Sequence, residues 1–187
     1  EVPRFYVCNA YGVRGIYSAP GTAVKEAYDT SGIVTNDRGV TVWLKGNRVS
    51  RNQIMAIKEE SVTEQKNSLA VCLDNILRHA GITRNTEYDL AQGKTATTIL
   101  SENMTGVQVL DLSGCTLDAV LYYVNQDIPV LAILEDGEAV LVTGFNEFNV
   151  VIMEPATGKL YKKGMNDATA WFAENGNHFI TYMRIEN

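Results

Sequence analysis

Apolar and polar residues alternate in short runs over residues 1–57, then switch to helical spacing, then return to short runs. In the first stretch the period of two predicts strands at 5–8, 15–18, 32–35 and 41–44 around one helix at 23–28. Pro20-Gly21 marks the turn before that helix, and Asn36-Asp37-Arg38-Gly39 is a hairpin turn between two apolar runs. Val40-Thr41-Val42-Trp43-Leu44 alternates and is rich in β-branched and aromatic residues, as a half-buried strand should be.

After the charged link Lys58-Glu59-Glu60-Ser61 the period becomes helical. Ser61 and Glu64 form a capping box, Gly81 is a stop signal, and Leu69, Cys72, Leu73, Ile76 and Ala80 share one face, predicting a helix over 61–80. Shorter helices are expected at 86–91 and 96–103, a strand at 107–110, and an amphipathic helix at 116–124 with Leu117, Val120, Leu121 and Val124 on one side. From Pro129 onward four apolar runs (130–134, 139–144, 150–153, 178–183) are separated by turn residues, with one helix at 167–173. Helices followed by an antiparallel sheet is an α+β order. The division expected is a small β-rich unit over 1–57 and a larger domain over 61–187.

Composition narrows the function. Hydrophobic content of 45% with 20% charged residues is globular, not disordered. A net charge of −6 with no basic stripe argues against nucleic acid. Cys8, Cys72 and Cys115 are too few and too scattered for a disulfide framework or a zinc knuckle. No metal and no cofactor is expected, since calcium-loop, dinucleotide and phosphate-loop patterns are missing. No apolar run approaches the roughly 20 residues that span a bilayer. The chain opens at Glu1 and is read as a processed form or an excised domain, and its Asn, Thr, Gly and Tyr content leans towards a secreted or surface-attached bacterial protein. Tyr6, Tyr11, Tyr17, Tyr28 and Trp43 crowd the first unit, as a binding face or as its core.

Three consecutive segments then carry a family likeness: Pro129-Val130-Leu131-Ala132-Ile133-Leu134, Gly137-Glu138-Ala139-Val140-Leu141-Val142-Thr143-Gly144-Phe145, and Val150-Val151-Ile152-Met153-Glu154-Pro155. Together with the later Ala168, Trp171 and Phe172 they resemble the papain-like cysteine peptidases of the double-glycine leader-peptidase type. The likeness covers about residues 61–187 and implies helices packed on an antiparallel sheet. It leaves residues 1–57 unexplained.

The chemistry of such a peptidase needs a thiolate at a helix start, an imidazole to move its proton, and an acid or amide to orient the imidazole. On this chain the family histidine falls on Glu138, the orienting acid on Glu154, the nucleophilic cysteine on Ser68, and the oxyanion-hole glutamine on Gln65. A carboxylate at 138 cannot shuttle a proton near neutrality without a large rise in pKa, and a hydroxyl at 68 without a base stays neutral. The expectation is therefore a domain that has lost catalysis and keeps a groove for a peptide or a protein partner, within a larger extracytoplasmic protein. The alternative is an active cysteine peptidase or acyl-transferase using Cys72 or Cys115. Cys72 lies on the apolar stripe of its helix, Cys115 follows Ser113-Gly114 at a helix start, and His79 and His178 lie far along the chain from any helix-start thiol.

Overall fold

A computed structural model describes residues 2–45 and 67–185. The first of these stretches folds as β1 (Phe5–Asn9), β2 (Gly12–Tyr17), α1 (Pro20–Thr30), β3 (Ile33–Asn36) and β4 (Thr41–Leu44). The strands form an antiparallel sheet in the order β2-β1-β3-β4. Asn36 makes the expected turn: its Oδ1 accepts from the N–H groups of Arg38 and Val40, and Gly39 takes φ +74°. Helix α1 starts three residues earlier than the sequence indicates, because Pro20 suits the first helical turn. Its buried residues Ala23, Val24 and Ala27 belong to one apolar cluster with Phe5, Val7 and Val34 on the inner sheet face.

The second stretch contains α2 (Ser68–His79), α3 (Glu87–Ala91), α4 (Ala96–Asn103), β5 (Val107–Asp111), α5 (Leu117–Val124), β6 (Val130–Ile133), β7 (Ala139–Phe145), β8 (Asn149–Glu154), β9 (Lys159–Gly164), α6 (Met165–Glu174) and β10 (His178–Arg184). Six of its strands make an antiparallel sheet in the order β5-β10-β6-β7-β8-β9. Helices α2 and α5 both pack on β7, whose seven residues are all buried, so this strand is covered on both faces. The class is α+β, with helices packed on an antiparallel sheet, as the order of elements predicted.

Two features depart from the sequence reading. Helix α2 begins at Ser68, because Asn67 caps it by accepting the Leu69 and Ala70 N–H groups at 2.9 and 3.4 Å. The expected capping box at Ser61 and Glu64 lies outside the described residues, as does Gln65. Strand β9 was not expected at all: Lys-Leu-Tyr-Lys-Lys-Gly has too few apolar residues to alternate visibly, and it forms because β8 offers it a ladder.

The two sheets share one continuous apolar core. The seam between them is fixed by specific bonds. Trp43, 2% exposed, donates its indole N–H to the Ala119 carbonyl at 3.0 Å, and Tyr123 donates its hydroxyl to the Val42 carbonyl at 2.7 Å. Tyr28 donates to Asp118 at 2.8 Å, and Asn36 to Gln108 at 3.0 Å. At Gly21 the chains approach so closely that a Cβ would stand 2.7 Å from the Ser113 carbonyl oxygen.

Candidate functional site

Helix α2 and strand β7 meet end to end at the positions the family likeness singles out. Ser68 is the first residue of α2, and its hydroxyl oxygen accepts the Ala139 backbone N–H at 2.9 Å. Ala139, 1% exposed, opens β7, so Glu138 stands immediately beside this bond. The next strand brings Glu154: Leu141 pairs with Met153, and continuing that antiparallel register sets Glu154 opposite Val140. The Glu154 carboxylate accepts a long bond from the Thr157 hydroxyl at 3.5 Å, and its strand partner on β9 is Lys159. Burial and the charge of Glu154 together push the Tyr161 phenol up.

This arrangement leaves the hydroxyl of Ser68 engaged as an acceptor. The Ala139 N–H sits at the entry to the strand, beside the turn that holds Asp136 and Gly137, and without the hydroxyl it would be a buried donor with its bond unmade. No side chain at this corner is an imidazole. His79 is at the opposite end of α2, where its Nε2 lies 3.0 Å from the Asp127 carbonyl and 3.6 Å from the Asp127 carboxylate. His178 opens β10 and is paired in register with Ile133. Among the described residues neither histidine is hydrogen-bonded to a cysteine.

The thiols are core groups. Cys72 is fully buried one turn into α2, and burial, reinforced by the nearby Glu138 carboxylate, pushes its pKa far above the ordinary thiol value. Cys115 is 1% exposed and donates to the Gly21 carbonyl at 3.2 Å across the seam. Burial pushes it up to about 12; Lys25 works in the opposite direction and Asp111 in the same one. A thiol raised in this way is almost wholly protonated at neutral pH and is a poor nucleophile. Cys8 is half-buried on β1. Among the described residues no group of three or more His, Cys, Asp or Glu side chains could hold a metal ion, and no helix is long and apolar enough to cross a membrane.

No protein-family model matches the chain, and no curated protein matches it. A solved structure does. A crystal structure assigned as a C39-like peptidase, from Bacillus anthracis, superposes with a TM-score of 0.59 over 73% of this chain and the whole of the other, at 12% identity. The chain has a C39-like, papain-like fold. At that identity the likeness concerns the fold alone. It agrees with the fold implied by the family resemblance read from residues 129–155 and with the helix-on-sheet order. Within the C39-like fold the three positions that the resemblance singled out fall at the start of α2 (Ser68), at the residue before β7 (Glu138) and at the end of the adjacent strand β8 (Glu154). Sequence reasoning missed the Ser68–Ala139 bond, because the acceptor's partner is a backbone N–H, which carries no residue-type signal.

Proposed function

We propose that this chain is a non-catalytic papain-like module that binds a peptide or a protein partner, as part of a larger extracytoplasmic bacterial protein. The observation that carries the reading is the α2–β7 corner. The Ser68 hydroxyl already accepts the Ala139 N–H and Glu138 stands beside that bond, and the family resemblance puts the thiolate and the imidazole of a working peptidase at these two positions. Neither His79 nor His178 stands at this corner, and a Ser hydroxyl without an imidazole to take its proton lacks the activation that nucleophilic catalysis demands. A carboxylate is a poorer proton shuttle than an imidazole at neutral pH. A fold of this kind can keep a peptide-binding groove after its nucleophile is lost, and such grooves hold extended chains through backbone bonds and side-chain pockets. The bacterial and extracytoplasmic setting is supported by composition and by the resemblance to extracellular members of the family.

The test combines thiol labelling with peptide cleavage. Iodoacetamide at pH 6 should label neither Cys72 nor Cys115 in the folded chain, both becoming reactive only on unfolding, and a library of unstructured peptides should remain uncut. Rapid labelling of either residue, together with cleavage that stops in Cys72→Ala or Cys115→Ala, would establish a cysteine peptidase or acyl-transferase instead.

A further inference from the structure

The N-terminal sheet has an apolar face that nothing in the described chain covers. Its inner face carries Phe5, Val7 and Val34, each at most 1% exposed, against α1 and the shared core. Side chains that are partners across a ladder point to the same face. The register pairs Val13 with Cys8, Cys8 with Ile33, and Ile33 with Leu44, so one apolar residue from every strand lies in a single row on the outer face. Val13 is 57% exposed, Ile33 43% and Leu44 39%, and a second row adds Tyr6 and Ile16. Strands with apolar residues on both faces are characteristic of sheets covered on both sides.

Charge indicates what covers this one. Among the described residues the strands and turns of this sheet carry three cations, Arg4, Arg14 and Arg38, against a single carboxylate, in a chain whose net charge is −6, while Lys45 turns the other way, over the Tyr28 ring of α1. That carboxylate, Asp37, is already taken by the Arg4 N–H and the Tyr6 hydroxyl. The rim is therefore positive around an apolar centre, which disfavours a second copy docking face to face. The inner face is covered by an amphipathic helix, α1, and an amphipathic helix is the ordinary complement of a sheet face.

We propose that the outer face of the N-terminal sheet is a docking surface for an acidic amphipathic helix of a protein partner. It lies on the part of the chain that the family resemblance leaves unexplained, and it does not depend on the state of the α2–β7 corner.

Cys8, half-exposed in the middle of the row, supplies the readout. The probe is a synthetic helix with leucines along one face and glutamates elsewhere, compared with the same helix carrying lysines for glutamates. The glutamate helix should slow iodoacetamide labelling of Cys8 in the full chain, the protection weakening as salt is raised. Affinity should fall by about tenfold or more for the lysine helix and in Ile33→Asp, a difference of about 1.4 kcal/mol or more. Equal protection by the two helices, or by neither, would overturn the proposal. So would protection by vesicles of phosphatidylcholine and phosphatidylglycerol, which would mark a membrane surface. Protection that grows with protein concentration alongside a dimer in sedimentation would assign the face to a second copy. A Cys8 inert in the free chain but reactive on unfolding would mean that the chain covers this face itself.

Discussion

The six-stranded and four-stranded sheets are written in the same sequence language and finish differently. Strand β7 reads Ala-Val-Leu-Val-Thr-Gly-Phe and is buried at every position, with helices packed on it. Strand β2 reads Gly-Val-Arg-Gly-Ile-Tyr and is buried at none. Between them stands β1, where Phe5 and Val7 point into the core while Tyr6 and Cys8 point out. An apolar run therefore reports that a strand surface is to be covered; it does not report whether the chain itself supplies the cover. In the larger unit helices from the same stretch of chain do so. In the smaller one α1 covers a single face, and the seam to the larger unit uses that same side.

The seam is where the comparison is easiest to break. If the small sheet has no independent stability, truncating its main anchor should destabilise the whole chain. Trp43→Ala removes a buried ring, its bond to Ala119 and its contacts with Tyr28 and Tyr122. Large-to-small core changes of this kind cost about 3–5 kcal/mol. Denaturant unfolding of the variant, followed by near- and far-ultraviolet circular dichroism, should show that loss in one transition. Two separate transitions would mean that the sheets are energetically independent and that the seam is an ordinary domain contact.

Much of this architecture was legible because its signals are local. The Asn36–Gly39 turn, the end of α2 at Gly81 with φ +86°, and the buried runs of β6, β7 and β8 each follow from residue types within a few positions. The order of elements then sufficed for the α+β class. What stayed hidden depends on partners distant in sequence. Strand β9 needs β8 beside it, and the cap at Asn67 was masked by the better-looking Ser61–Glu64 pair. The first-unit aromatics divide in a way that composition could not order: Trp43 is core, Tyr28 packs against it, and Tyr11 is 85% exposed at a hairpin tip beside Arg14. At the candidate site the sequence named Ser68, Glu138 and Glu154, and the fold places them at a helix start, at the residue before β7 and at the end of the adjacent strand β8. The bond that occupies Ser68 joins residues far apart in the chain and involves only a main-chain donor.

That bond gives a second, smaller test, now within the larger unit. Ser68→Ala leaves the Ala139 N–H buried without an acceptor, a loss of about 1–3 kcal/mol. The Ala139 amide should exchange with solvent faster than its β7 neighbours in the variant and not in the parent chain. Ser68→Thr keeps the hydroxyl at a half-exposed position and should restore protection. If Ala139 exchanges slowly in all three chains, the hydroxyl is free, and Ser68 returns as a group available for chemistry.

The smallest expected effect is the one that separates the two sheets most sharply. Ile33 and Val34 are neighbours on β3, yet Val34 is fully buried and Ile33 is 43% exposed on the outer face. Replacing Ile33 by Thr retains a β-branched side chain, so strand preference is nearly unchanged and the experiment isolates burial. On an open face the hydroxyl remains hydrated, and stability should move by no more than about 0.5 kcal/mol, as for other exposed positions. On a covered face the same hydroxyl would be taken out of water without a partner, at a cost of about 1–3 kcal/mol in mutational data. A midpoint in urea that does not shift would show that the free chain leaves this face open, as a docking surface must be. A loss comparable with that of Ser68→Ala would show that the apolar row already has its cover, and the two sheets would then be alike in burial as they are in sequence.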